Sequence, residues 1–563
     1  MAFSPTQLGR IVPNLSDFWS KLKSKTALVV IFSSLAIALY GYDQGMMSLV
    51  NTNHSYLHTM NIRGDSPVVG IIVSIYYIGC MVGAVMASKL ADMEGRKIAI
   101  TACLVTCVIG NILMFIPGIY PWNSDNTWHG GSIILMFIGR IVLGLGVGGI
   151  DAVVPIYSSE LSKDDTRGSA MAKEFQANIF GLFLAFSLNY LLTKELGKDS
   201  QWAWRIPIIF MQIFPVVLFF IIRSLPESPR WLISKQRLDD ATDALEGLYG
   251  KAQSDIMLEE LQTAQEDEGN QAIGYSDMMW GSQSHATMIT IMGQINQALT
   301  GYGAVSVYGP QIFELLGLSV SQAERTTLGN YLFYFAAMFF AWKQIDVYGR
   351  RWLMLYGSLG LTICYGLLAY LGSMSVDNSE ESHFWVELSG SVVLYLSTAI
   401  FGISWLTTVW LIPTEIYPNG ARARGSAISV IVWGIANFLV TLLTPIGFNN
   451  MKHWLFLVFA ATNMIAGMLT FFFSPETGGR SFEENQTFFT SAREEGTWIV
   501  RKVADGKFLN MPQEDQELDN AGGDNVKNET AESELAKGED ATRGDATDGP
   551  SETTPLLQSV QVG

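Results

Sequence analysis

Two hexapeptides decide how this chain of 563 residues is built. Asp92-Met93-Glu94-Gly95-Arg96-Lys97 returns 254 residues later as Asp346-Val347-Tyr348-Gly349-Arg350-Arg351. Other pairs keep nearly the same spacing. Arg167-Gly168-Ser169-Ala170, beyond Glu160, recurs as Arg424-Gly425-Ser426-Ala427, beyond Glu415, at an offset of 257. Pro226-Glu227 recurs as Pro475-Glu476 at an offset of 249. Three short matches at nearly one offset imply a duplicated unit.

The apolar runs say what was duplicated. A helix crossing the hydrocarbon core needs about 20 mostly apolar residues. Twelve stretches meet that measure, at 27–49, 68–90, 98–118, 132–155, 171–192, 204–223, 286–316, 326–345, 352–373, 389–413, 425–447 and 453–474. A polar segment, 224–285, separates six from six. Its apolar residues are spaced as in helices. The expected fold is therefore an all-α membrane protein of twelve transmembrane helices in two parallel six-helix repeats, with a solute site between the halves near the midplane. The domains are a cytosolic segment 1–26, a bundle 27–223, a helical linker 224–285, a bundle 286–474 and a tail 475–563.

Composition supports the lipid setting. The chain is 49% hydrophobic and 15% charged, against about 25% in soluble domains. Of its net charge of −17, the residues from 475 onward supply 19 acids and 8 bases, a balance of −11. That leaves −6 for the rest. The acidity sits in a tail too polar to fold alone, which excludes a nucleic-acid partner without creating an acidic face on the core. Lys and Arg number twenty in the loops on the amino-terminal side of the membrane, the tail left out, and six in the others, so both termini and the linker are expected in the cytosol. Cys80, Cys103, Cys107 and Cys364 lie in apolar runs without metal spacing, and the six histidines are scattered. No nucleophile elbow, Walker loop or dinucleotide fingerprint is present. The expectation is a non-enzyme without cofactor or metal. Asn53-His54-Ser55 is a candidate glycosylation acceptor, and Leu556-Leu557 a candidate sorting signal in the tail.

Scarcity of charge within the spans makes two residues conspicuous. Asp43 ends an apolar run from Ala27, and Arg140 sits between Met136-Phe137-Ile138 and Ile141-Val142-Leu143. An ionisable residue at membrane depth is costly and points to function. Each is a natural partner for the other, either as a static ion pair or as a device in which Asp43 takes up a proton when Arg140 moves away.

The motifs GYDQG (41–45), PESPRW (226–231), DVYGRR (346–351), PTEIYP (413–418) and SPETGGRSFEE (474–484) resemble those of the sugar porter family of the major facilitator superfamily, in its fungal branch. The resemblance runs from about residue 27 to 485. It implies a secondary transporter that moves a sugar or polyol by alternating access, coupled to proton symport through Asp43 and Arg140. The alternatives are the same fold carrying an oligosaccharide, organic acid or secondary metabolite, or a nutrient sensor that does not transport. Charged residues at the cytosolic helix ends are expected to form gating ion pairs: Asp92, Arg96, Glu160, Arg167, Glu227, Arg230, Asp346, Arg350, Glu415, Arg422 and Glu476. Gln176, Gln297, Trp410 and Asn437 are expected at the solute.

The seventh span departs from the family pattern. Gln297-Ala298-Leu299-Thr300-Gly301-Tyr302-Gly303 keeps the first amide but has Ala298 and Gly303 where a Gln and an Asn are usual. In the eleventh span the tryptophan comes one place early, as Trp433, a rotation of about 100° that would turn its ring from the cavity. The expected partners are the solute, protons and lipid, with the chain a monomer in the plasma membrane or a vacuolar or endosomal one.

Overall fold

The computed structural model describes residues 25–500, apart from 65, 119–128, 162–166, 268–272, 375–379 and 479–481, together with 503–504 and 507–508. The amino-terminal segment to residue 24 and most of the tail, with Leu556 and Leu557, lie outside the described residues. Among those described, the chain is helical but for a two-residue antiparallel pair, Val503–Ala504 with Lys507–Phe508.

Six helices form the first half: α1 (Lys25–Val50), α2 (Pro67–Glu94), α3 (Arg96–Phe115), α4 (His129–Glu160), α5 (Arg167–Leu196) and α6 (Gln201–Ser224). The second half holds α7 (284–315, in three pieces), α8 (Val320–Tyr348), α9 (Arg350–Met374), α10 (380–416), α11 (Asn419–Met451) and α12 (Leu455–Phe473). Nine stretches among the described residues are long and apolar enough to cross a membrane. One of these, Gly420–Phe473, contains both α11 and α12. The other two helices fall outside that measure: α7 is broken, and the middle of α8 is diluted by Thr326, Thr327, Asn330, Tyr331 and Tyr334.

Small residues bring the first half together. A methyl group on Gly41 would lie 1.9 Å from the Asn178 carbonyl oxygen of α5, and one on Gly148 would lie 2.2 Å from the Cys80 carbonyl oxygen of α2. With no side chain at these points the helix backbones touch, and dispersion replaces the hydrophobic drive that lipid removes. Large apolar side chains such as Phe220, Phe340 and Leu359 face outward, as a lipid-facing surface requires.

The linker is helical as expected, with Pro229–Ser234, Leu238–Tyr249, Lys251–Asp267 and Tyr275–Trp280. Trp231, Leu232, Ile233, Ala241 and Ala244 form its own small core. It docks on the first half where Trp231 Nε1 donates to the Asp92 carbonyl at 3.1 Å and the Tyr249 hydroxyl to the Leu161 carbonyl at 2.8 Å. Beyond α12 the sequence reading expected no packed structure. A helix, Phe482–Glu494, nevertheless buries Phe488, Phe489 and Ala492. Two adjacent aromatics sufficed to anchor one short amphipathic face. Asn53 is also unlike its expectation: it is buried, its Oδ1 capping the helix His54–Met60, so its amide is not an exposed acceptor.

Candidate functional site

The site follows from where the helices are irregular. α7 stops after Leu299, because Gly301 adopts φ +86° and a methyl group there would also strike the Phe459 ring at 2.8 Å. The carbonyls released by the break are recovered by α12: Thr462 Oγ1 donates to Leu299 O at 2.7 Å and Asn463 Nδ2 to Thr300 O at 3.2 Å. α10 widens into a π-turn over Gly402–Leu406, and Gln297 Nε2 donates to the carbonyls of Trp405 and Leu406 at 3.1 and 3.2 Å. Broken helices that line a cavity are tolerated in membranes only where such partners exist.

Between these irregular segments and the first half lies a cavity of about 20 Å³, room for about one water. Gln297, Trp410 and Asn437 line it. Gln176 does not. Residue 175 faces the cavity instead, and Gln176, one step of about 100° further round α5, turns its amide toward the Phe335 carbonyl of α8 at 3.5 Å. Trp433 reverses the other expectation. Its ring lines the cavity, packed edge-on at 5.3 Å against Tyr40, 5.2 Å against Tyr77 and 5.8 Å against Trp410. The one-residue offset therefore does not turn the ring from the cavity.

Ala298 and Gly303 line the same cavity, so the two lost amides are lost from its wall. At Gly303 the space is used. A methyl group there would come 3.0 Å from Asn437 Oδ1, so the missing side chain admits the amide of α11. The sequence reading missed Gln44 and Asn178, which also line the cavity. Gln44 Nε2 donates to the Tyr40 hydroxyl, while its Oε1 is buried without a hydrogen-bond partner among the described residues. Its place beside Asp43 in GYDQG was the available signal.

Asp43 and Arg140 meet as expected. Arg140 Nη1 donates to Asp43 Oδ1 at 2.5 Å, with the side chains 1% and 2% exposed. Arg140 is also held by α2: Nε lies 3.4 Å from the Ile72 carbonyl, Nη2 lies 3.3 Å from that of Val73, and its Cζ sits 4.6 Å over the Tyr76 ring. The arginine therefore keeps partners on α2 if Asp43 leaves. Asp43, among the described residues, is held by Arg140.

The cytosolic charges form two matching clips, one per half. Arg96 bonds both oxygens of Glu160 at 3.2 Å, and Arg350 bonds Glu415 at 2.7 Å. Asp92 and Asp346 stand at 3.5 and 3.4 Å from the same arginines, one helical turn away. These pairs tie α3 to α4 and α9 to α10, within a half. The expectation that Glu227 and Glu476 join the arginine side chains needs correction. Glu227 accepts from the backbone amides of Arg96 and Lys97 at 3.0 and 3.1 Å, and Glu476 from those of Arg350 and Arg351 at 2.8 and 3.0 Å. Each carboxylate caps a helix N-terminus, where unpaired donors and the helix dipole favour negative charge. The motif glycines make room: Gly95 and Gly349 have φ +103° and +81°, and methyl groups there would lie 2.6 and 2.4 Å from those carboxylates. Burial pushes the Glu227 carboxyl above its ordinary value, against the amides that favour its ionised form. Arg422 is buried, its Nη2 3.5 Å from the Tyr417 carbonyl, and Arg230 lies near enough to Glu160 to act on its charge. The Arg167 side chain lies outside the described residues.

An ion pair absent from the sequence reading joins the halves on the outer side. Lys198, between α5 and α6, reaches Glu324 at the start of α8 at 2.6 Å. Beneath it Leu49, Leu182, Phe186 and Tyr331 form an apolar plug. On the inner side Ser426 Oγ of α11 donates to the Ala152 carbonyl of α4 at 3.2 Å. The cavity is thus closed at both ends.

Comparison with known proteins agrees with this architecture. Residues 27–489 match the family model described as sugar (and other) transporter. The chain is 30% identical over 520 residues to the MFS-type transporter oryC of Aspergillus oryzae, covering 88% of this chain and 91% of that one. It is 29% identical to the glucose transporter GlcP of Staphylococcus epidermidis, over 82% of this chain and 97% of that one, and 27% identical to the sugar transporter STL1 of Saccharomyces cerevisiae, over 86% and 87%. Among solved structures, the proton:xylose symporter XylE bound to 6-bromo-6-deoxy-D-glucose superposes with a TM-score of 0.70 at 24% identity, covering 82% of this chain and 99% of that one. A family match that runs unbroken through both halves and the linker between them leaves one conclusion: this multi-pass membrane protein belongs to the sugar transporter family of the major facilitator superfamily.

Proposed function

We propose that this chain carries a sugar or polyol across the membrane by alternating access, in symport with a proton. The observation that carries the reading is the Asp43–Arg140 pair, buried at membrane depth in the half that faces the cavity. An isolated charge there would be expensive, and a pair costs less only while it holds. Arg140 retains the Ile72 and Val73 carbonyls and the Tyr76 ring, so α1 can carry Asp43 away and leave Arg140 satisfied. Asp43, separated from its cation, then takes a proton from the outer side. Re-forming the pair expels it, and the cycle couples the proton to the motion of α1.

Gln44, Gln297 and Asn437 supply amides, each with a donor and an acceptor for adjacent hydroxyls, and Trp410 and Trp433 supply aromatic faces for a ring. The closed cavity is too small for a monosaccharide, so solute enters only when the halves part. Similarity to the glucose transporter GlcP, the sugar transporter STL1 and the proton:xylose symporter XylE supports a carbohydrate solute. The membrane we favour is the plasma membrane, with the protein acting as a monomer.

Replacing Asp43 by Asn tests the coupling. In proteoliposomes loaded with a labelled panel of hexoses, pentoses and polyols, the variant should exchange solute across the membrane yet fail to accumulate it against a gradient. Undiminished accumulation would overturn the reading. A second reading keeps the fold and changes the cargo to a non-hexose solute. Ala298 and Gly303 on the cavity wall favour it, because they remove two amides from the surface that would meet a hexose.

A further inference from the structure

Helix α4 carries a second carboxylate that neither the coupling pair nor the cytosolic clips use. Asp151 follows Arg140 by eleven residues. At about 100° per residue that is within roughly 20° of three full turns, so the two side chains share one face of α4, with Asp151 about 16 Å nearer the cytosol. Asp151 is 4% exposed, and neither of its oxygens has a hydrogen-bond partner among the described residues. The titratable groups near enough to feel its charge are Tyr40 on α1, Tyr76 and Cys80 on α2, and Cys107 on α3. From α11 comes Ser426, whose hydroxyl is spent on the neighbouring Ala152 carbonyl. None of these is a cation.

An ionised carboxylate in such surroundings, without a donor or a cation, costs more than placing a proton on it at neutral pH. Asp43, by contrast, sits against Arg140 in the same conformation. The closed state is therefore the one reached after the proton has moved inward, with Asp43 ionised against Arg140 and the surroundings of Asp151 favouring its neutral form. We propose that Asp151 is a second protonation site of this carrier, which receives the proton that Asp43 gives up and releases it to the cytosol when the inner side opens. The transfer balances: one carboxylic acid becomes a carboxylate that re-pairs with Arg140, and one carboxylate becomes an acid. Tyr76 is near enough to both carboxylates to feel their charge, and its ring lies under the Arg140 guanidinium. The same face of α4 continues inward to Ser158, seven residues on, whose hydroxyl donates to the buried Glu174 of α5 at 2.7 Å.

The relay rests on the proton-coupled reading, but the protonated acid can be detected without any solute. pH-difference infrared spectra of the full-length protein in lipid nanodiscs should contain a protonated-carboxyl band that disappears in Asp151→Asn, shifts in Asp151→Glu and persists in Asp43→Asn. A spectrum unchanged by Asp151→Asn would overturn the proposal. Should that variant fail to fold, a spectrum unshifted by Asp151→Glu would do the same. In proteoliposomes, the dependence of solute release on the pH of the cytosolic side should weaken about tenfold in Asp151→Asn, one pKa unit's worth of response. A wild-type dependence in that variant overturns the relay even if the coupling itself stands. A wild-type protein that shows the Asp151 band and no solute-linked proton movement instead overturns the coupling reading and, with it, the transfer from Asp43.

Discussion

Gln44 illustrates what a single buried amide contributes. Its donor is engaged with Tyr40, its acceptor is buried and unpaired among the described residues, and the residue lines the cavity, so a solute hydroxyl is the partner we expect to complete it. Leaving a buried polar atom unsatisfied costs about 1–3 kcal/mol, which is roughly ten- to a hundredfold in affinity. Gln44→Leu should therefore raise the KM for the transported solute by about that factor. Titrating uptake rate against solute concentration checks it, and an unchanged KM would remove Gln44 from the site. At this scale the sequence is uneven. Asp43 and Arg140 are legible because charges are rare inside spans. Gln176 and Trp433 are not, because one residue of register turns a side chain by about 100° and nothing in the spacing of motifs records the rotation.

At the scale of elements, the ends of helices decide more than their middles. Gly95 and Gly349 let Glu227 and Glu476 cap α3 and α9, and each half is tied together at its cytosolic end. The repeat revealed which residues belong together but not that the glutamates bond backbone amides, since a sequence names side chains and is silent about the orphan donors of a helix. The outer pair Lys198–Glu324 shows the complementary case. It joins the loop after α5 to the start of α8, 126 residues apart in the chain. Being partly exposed, it should hold the outer side shut by about 1 kcal/mol, roughly a fivefold bias. Lys198→Glu should shift the population outward-open by that amount, read as faster labelling of a cysteine placed at the outer plug, and the double exchange Lys198→Glu with Glu324→Lys should restore it. Identical labelling in the single variant would show that the pair does not hold the gate.

For the whole molecule, the duplicated six-helix plan was legible from three short repeats and a count of apolar runs, because lipid leaves backbone polar groups few ways to be satisfied. The interface between the halves was less so. It depends on where α7 and α10 are irregular, at Gly301 and at a π-turn whose carbonyls accept from Gln297. Two similar halves, an outer ion pair, an inner contact and a closed cavity between them are the parts that alternating access requires. The central claim is that solute and proton cross together. It is tested most directly by adding solute from the sugar and polyol panel to proteoliposomes at zero pH gradient and recording the internal pH. The expected result is internal acidification that accompanies uptake in the wild type and is lost in Asp43→Asn. Uptake by the wild-type protein with no change in internal pH would contradict it.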